Sequence, residues 1–491
     1  MQFLVLLGLG VWVIWADPFG LSTASERALA QDISRSRALM SPVPAAPITV
    51  VTIDYKSIEN LHTSEQKWLS ADDWPLSYED HVRILRKLVT GGHEGDAPAA
   101  VFYDIFFERP RSASGDMGSL ARALSRIGQD TPRPERRFAP VHLAGGGVQM
   151  PMSTQAYQAL GQPALAASAW QGQGEYYPLS SPLHEPDAEP GVPDHAPSAA
   201  LAMYQALCQA RGQDCSWLQD SDAMALQWVL REGVACSDRM VRIPRYALTT
   251  AVRYLGFGDA PEAVETDCLP FHQVQLDELF SPSGRALRPP YLQAGEPYIV
   301  LAGVVMPSLN DYHETPVYEK IAGVYVHAMA LENLVRMGSD HLRNQNIRWV
   351  STALWALIAL GLCLWHAIWR RPCIQRWRAH RRDPGKGQLS RGLHKIRTLV
   401  HHVQRRLSIR FRQLLRALHV PRNARLFIDR SVRTLIGRIL GLVLWITIIV
   451  GVYLLCYSVL DIALEGWLFM VGLVSLTLFW KGAAEASESG S

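Results

Sequence analysis

Acidic residues are almost missing from one stretch of this 491-residue chain. Between positions 370 and 438 stand twenty Lys and Arg, against only Asp383 and Asp429. Cysteine is also scarce, seven in all, which excludes a small scaffold held together by dense disulfides. No CxxC pair or neighbouring pair of histidine ligands accompanies those cysteines, so no metal site is expected. The chain has no GxGxxG fingerprint and no P-loop lysine, which removes the common nucleotide-binding motifs. Aromatic side chains are nearly absent from the basic stretch. Bases would find few rings to stack on there, and nucleic acid is not an expected partner.

Apolar runs flank the basic stretch on both sides, at 349–369, 439–460 and 463–480. Loops rich in Lys and Arg stay in the cytoplasm, because carrying many fixed cations across an energised membrane is unfavourable. The run 349–369 then enters the cytoplasm, and the large region before it faces outward. Several of the fifteen tryptophans lie in or at the ends of these runs, where indole prefers the membrane interface. The first apolar run, 3–16, is short for a full span, which needs roughly 20 residues. A cleaved signal peptide competes with an uncleaved helix here, since Ala28-Leu29-Ala30 has the small-x-small pattern. No basic residues precede the run, and Ala30 lies far beyond it, so the uncleaved helix is preferred. The expected organisation is a membrane helix (1–19), a juxtamembrane stalk (20–47), an outward domain (48–345), a second span (346–369), a basic cytoplasmic loop (370–436), two further spans (437–460 and 461–481) and a short tail (482–491). This places the chain in a bacterial inner membrane, with both ends cytoplasmic and the large domain periplasmic. No enzymatic output module is expected after the last span.

The outward domain holds Cys208, Cys215, Cys236 and Cys268, an even number in an oxidising compartment. Three pairings exist. Cys208–Cys215 with Cys236–Cys268 is favoured, because the shorter loops close most easily. Cys363, Cys373 and Cys456 lie in or near the membrane runs.

Within the domain, 48–53 is a β-branched run ending in Asp54, and 99–103 is a second strand ending in Asp104. The helical spacing of Val82, Leu85, Leu88 and Val89 lies between them. Strand, helix, strand is a βαβ unit, which implies neighbouring parallel strands. Helices are expected at 117–127, 197–210 and 324–337, strands at 138–144 and 298–305, and a long loop at 172–197. The fold class is therefore an α/β domain with a mainly parallel sheet, together with helical membrane segments.

The carboxyl edge of such a sheet is where ligands bind. Asp54 and Asp104 could form a polar pocket for a cationic or hydroxylated ligand there. They could equally cap the segments that follow them. Asp311 lies in a short polar cluster with His313 and Glu314, and His327 stands on a helix among apolar residues. These four, Asp54, Asp104, Asp311 and His327, are the candidate ligand-binding residues. Nothing near them in sequence supplies a nucleophile, so no catalytic residue and no cofactor is expected. Gly145-Gly146-Gly147 reads as a flexible turn.

In the basic loop, Leu393, Ile396, Leu399, Val400, Val403, Leu407, Phe411, Leu414, Leu415 and Leu418 recur every three or four residues. That is the apolar stripe of a helix. Lys395, Arg397, Arg405, Arg406, Arg410, Arg412 and Arg416 fill much of the remaining surface. Such a helix suits anionic lipid at the inner surface, and it also suits a protein partner.

The domain resembles the CHASE2 extracellular sensory domain family. The matching segments are VVTIDYKSI (50–58), WPLSYEDHVRIL (74–85), AVFYDIFFERP (100–110), APSAALA (196–202), YIVLAGVVMPSLNDYHETP (298–316) and GVYVHAMALENLV (323–335). In the last of these, Gly323, His327, Ala330 and Asn333 occupy the family's positions. The resemblance implies one helix before the domain and three after it, a sensory role, and homodimerisation through the first helix and stalk. The family usually ends in an output module, whereas here a short tail follows. The expected function is thus a membrane-bound signalling protein that senses a ligand or protein and acts through a separate partner. The alternative is a structural subunit of an envelope-spanning complex.

Overall fold

A computed structural model of the protein describes residues 2–16, 34–35, 38, 41–92, 96–111, 115–128, 138–169, 176–185, 191–215, 217, 223–233, 236, 264–281, 283–309, 311–341 and 348–370. The chain divides into two compact units, one of Ala30–Asn344 and one of Met1–Leu29 with Gln345–Ser491.

The first unit is built on a six-stranded, fully parallel sheet. Its strands are β1 (Ile48–Ile53), β2 (Ala100–Phe106), β3 (Val141–Ala144), β4 (Leu165–Ala166), β5 (His272–Gln275) and β6 (Ile299–Val304). Their order across the sheet is β5-β1-β6-β2-β3-β4. Parallel sheets must be covered on both faces, so their strands read as continuous apolar runs. The sequence ITVVTI of β1 and IVLAGV of β6 meet that requirement, and β6 is buried throughout.

Side chains alternate between two cores. Ile48, Val50, Phe102, Ile299 and Leu301 enter one core, with helices Ala199–Arg211 and Gly323–Met337. Val51, Ile53, Tyr103, Val300 and Ala302 enter the other, with helices Tyr55–Thr63 and Tyr78–Val89. In chain order the helices are α1 (Gln2–Ala16), α2 (Tyr55–Thr63), α3 (Tyr78–Val89), α4 (Met117–Gly128), α5 (Thr154–Ala159), α6 (Ala199–Arg211), α7 (Gly323–Met337) and α8 (Arg348–Arg370). Each fully buried Leu, Ile, Val or Phe contributes about 1.5–3 kcal/mol, so the two cores dominate the domain's stability.

Local chemistry sets the helix starts. Ser77 caps α3 by accepting from the Asp80 amide (3.1 Å). Ser198 caps α6, accepting from the Leu201 amide (3.4 Å). The helix expected from 197 therefore begins at Ala199, because Pro197 pairs with Ser180 in a small hairpin. The expected loop 172–197 is also more structured than its composition suggests. Ser180–Pro182 pairs with His195–Pro197, and Tyr176–Tyr177 pairs with Met224–Ala225. Gly146–Gly147 pairs with Met150–Pro151 rather than forming an open turn. Cys208 is joined to Cys215, and Cys236 to Cys268.

The expectation that β1 and β2 are neighbours is corrected. β6 lies between them and pairs with both, Val50 opposite Leu301 and Leu301 opposite Phe102. The βαβ pattern recognises two parallel strands of one sheet but cannot see a later strand inserted between them.

In the other unit α1 packs on α8. Gly10 is buried against the indole of Trp355, and a Cβ there would stand 1.6 Å from its Nε1. Trp15 meets Trp349 edge-on at 5.1 Å and donates through Nε1 to Thr352 Oγ1 (3.2 Å). Leu4, Leu9, Trp12, Leu357 and Leu360 point outward and are exposed. Among the described residues, no helix is long and apolar enough to cross a membrane. The expected spans at 439–460 and 463–480, the basic residues 395–416 and most of the expected stalk lie outside the described residues.

Candidate functional site

At the carboxyl end of β2, the strand turns Asp104 toward the core that contains α7. Opposite it in register is Gly303 of β6. A Cβ on Gly303 would stand 2.7 Å from Val324 Cβ and 3.2 Å from Asp104 Cβ. Only glycine lets the start of α7 approach this closely. His327, one turn into α7, then comes within 4.0 Å of Asp104, measured from Nε2 to Oδ2.

The other ring nitrogen of His327 meets the Tyr177 hydroxyl at 2.7 Å. That hydroxyl accepts from the Ala200 amide at the start of α6 (3.2 Å). The remaining ring nitrogen, Nε2, is the one that faces Asp104. Phe102 packs edge-on against the imidazole at 5.4 Å. The imidazole is buried, with 3% of its side chain exposed, and 12% of the Asp104 side chain is exposed.

Asp311 closes the cluster from the position just before the hairpin Tyr312–Thr315 and Glu319–Ala322, which runs into α7. Its carbonyl accepts from the Gly323 amide (3.0 Å), and its Oδ1 lies 3.6 Å from His313 Nε2. The Asp311 carboxylate also lies over the first residue of α7, 2.6 Å from where a Gly323 Cβ would stand. The N-cap of α7, Ala322, makes no side-chain capping bond. A carboxylate at this end complements the helix dipole.

The electrostatics follow from burial. Asp104 is held well above the usual carboxylate range, first by burial and then by the nearby negative charge of Asp311. His327 is pushed down to about 4 by burial, against the pull of Asp311 and with help from His313. His327 is therefore uncharged at neutral pH, and burial together with Asp311 displaces Asp104 toward its protonated form. The pair resembles a polar hydrogen-bonding surface more than an ion pair.

Asp54 is not part of this cluster. It caps α2 by the reciprocal arrangement in which its Oδ1 accepts from the Ser57 amide (2.7 Å) and Ser57 Oγ accepts from the Asp54 amide (3.1 Å). Of the two readings of Asp54, capping is the one its contacts support. Asp104, Asp311 and His327 do come together.

Sequence reasoning missed Tyr177, which fell in the supposed loop. Its signal was faint, two adjacent tyrosines among Gly, Glu and Pro. It also missed His81. On the opposite face of the sheet, His81 Nδ1 and the Tyr103 hydroxyl lie 2.7 Å apart. Adjacent residues of β2, Tyr103 and Asp104, thus each meet a buried histidine, one on either side of the sheet. His81 too is pushed down to about 4 by burial.

Asn333, further along α7, exchanges two bonds with the Gln227 backbone. Its Oδ1 accepts from the Gln227 amide (2.7 Å) and its Nδ2 donates to the Gln227 carbonyl (2.9 Å). A side chain here takes the part of a strand neighbour. Among the described residues, no group of three or more His, Cys, Asp or Glu could hold a metal ion.

The structure is thus a parallel α/β sheet with a polar cluster at its carboxyl edge. The chain belongs to the CHASE2 family of sensory domains: the family's sequence model, described as CHASE2 domain, matches residues 5–368. No match was found among curated proteins or among solved structures.

Proposed function

We propose that the protein is a membrane-anchored sensor whose α/β domain faces the periplasm and recognises a ligand or protein at the Asp104–His327–Asp311 cluster. The reading is a binding role, without catalysis. The signal passes to a separate protein partner at the cytoplasmic side, where the basic stretch 393–418 also meets anionic lipid. One observation carries this reading. Helix α7 bears His327 at the candidate site, and the chain leaves α7 to enter the apolar helix α8. A ligand that prefers one position of α7 would bias whatever α8 is attached to, provided it binds the two positions differently. The apolar residues exposed on α1 and α8 support the membrane placement, and the family is of extracellular type.

The test has two parts. A reporter fused at Gln388 is expected to behave as cytoplasmic, and one at Asp187 as periplasmic. The reverse pattern refutes the orientation. Purification in mild detergent followed by mass spectrometry is then expected to find a small molecule, lost on Asp104→Asn, or a substoichiometric protein.

A second reading is a structural subunit of an envelope-spanning assembly. It is favoured by how fully these side chains are satisfied internally, His327 by Tyr177 within the cluster and Asp54, outside it, as a helix cap. A stoichiometric large complex in the same purification, unaffected by Asp104→Asn, would establish that reading over the first.

A further inference from the structure

His184 sits in the loop that joins Ser180–Pro182 to His195–Pro197. Its Nδ1 lies 2.8 Å from the Glu185 carbonyl oxygen. Its Nε2 lies 3.2 Å from the Val192 carbonyl oxygen and 3.3 Å from Asp194 Oδ1. All three are acceptors. A neutral imidazole carries one N–H, so one nitrogen would turn a lone pair toward an oxygen. Only the imidazolium donates on both sides, and its charge strengthens both bonds.

We propose that His184 is a proton-operated latch: protonated, it ties the two ends of the loop together, and on losing a proton it releases one of them. The ring is mostly shielded, with 11% of the side chain exposed. Its pKa is raised, first by the Glu185 carbonyl, with burial opposing and with Val192 and Asp194 adding to the rise. For a histidine raised in the folded state, the stabilisation is complete below the ordinary histidine value and is lost as pH rises through the folded value. The latch is therefore shut in acid and loosened toward alkaline pH.

The groups facing the ring can be named. From its own loop come Glu185 and Asp194, while Asp187 and Glu189 of that loop lie outside the described residues. The opposite wall, Val148 and 151–154, contributes no titratable side chain. Between the two walls is a cavity of about 370 Å3, lined on the loop side by His184, Glu185 and Val192. Release of Val192 would widen it. The same hairpin runs into α6: Ser198 donates from its amide to the Leu179 carbonyl (2.9 Å), and the Ala200 amide contacts Tyr177 of the candidate cluster.

Hydrogen exchange on the full chain in detergent tests this directly. The Leu183 amide, bonded to the Asp194 carbonyl at 2.9 Å, reports the loop. After correction for intrinsic exchange, its protection is expected to fall as pH rises from 6 to 8, while β6 stays unchanged. His184→Gln, which cannot be protonated, is expected to give a flat profile. A flat wild-type profile, or an equal slope in His184→Gln, overturns the latch. Should that variant not fold, Asp194→Asn at an exposed position serves instead. Its midpoint is expected to move to lower pH, and an unmoved midpoint also overturns the proposal.

Discussion

His327 Nε2 stands 4.0 Å from Asp104 Oδ2, on elements more than two hundred residues apart in the chain. The contact exists because Gly303 leaves room between β2 and α7. Replacing Gly303 with alanine puts a methyl 2.7 Å from Val324 Cβ. The expected cost is about 1–3 kcal/mol, the usual range for overpacking, read as a lower midpoint in urea. A midpoint equal to wild type would show that α7 shifts freely.

Asp104 is raised by burial and by Asp311. A carboxyl raised in the folded state costs stability as pH rises above the unfolded value and through the folded one. Asp104→Asn is therefore expected to stabilise the domain at pH 8 and not at pH 4. The readout is a higher thermal midpoint than wild type at pH 8 and an equal one at pH 4. Equal shifts at both pH values would contradict this account.

His81 and His327, each held to about 4 by burial, work in the opposite direction. The unfolded chain takes up their protons near pH 6.5 and the folded chain does not until about 4. Stability is thus lost as pH falls through that window, on the order of 3 kcal/mol per histidine. Urea unfolding at pH 7, 6 and 5 measures the slope. His81→Phe is expected to flatten it, and an unchanged slope would remove His81 from the explanation.

Tyr177→Phe deletes the hydroxyl that bonds both His327 Nδ1 and the Ala200 amide. The expected loss is about 1–3 kcal/mol. It should be accompanied by faster exchange at the start of α6, with β5 unaffected.

Asp80 is fully buried and gathers the 70–77 loop. It accepts from the Ser70 amide (2.8 Å), Ser70 Oγ (2.6 Å), the Ala71 amide (3.1 Å) and Ser77 Oγ (2.8 Å), with Arg83 at 3.0 Å. Burial raises its pKa, but the bonds from Ser70, Ser77 and Ala71 outweigh it and the net shift is downward. Asp80→Ala leaves the Ser70 and Ala71 amides without their acceptor and is expected to cost about 1–3 kcal/mol. The stability Asp80 supplies should persist above the unfolded carboxylate value and disappear as pH drops through the folded one.

Much of the fold is legible in the chain. The runs in β1, β2 and β6, the periodicity of α3 and the start of α7 follow from residue patterns that two-sided burial demands. The position of β6 is not legible, because strand order depends on contacts between distant segments. The site is half legible. Asp104 could be found because it ends a strand, and His327 because it interrupts an apolar helix face. Tyr177 could not, since its role depends on a two-residue strand paired with Met224–Ala225. Asp54 shows the ambiguity of an acid at a strand's end, as the same sequence position serves a pocket or a helix cap.

The strand order carries a consequence for biogenesis. The two strands nearest the N-terminus of the sheet have no partner in each other. Their shared neighbour emerges only at Ile299, roughly two hundred residues after Ala100 has left the ribosome. Until then both present open edges, and contacts so distant in sequence form slowly. A nascent or truncated chain ending before Ile299 would expose β1 and β2 to other chains, so the domain depends on delivery of its last strand before it can close.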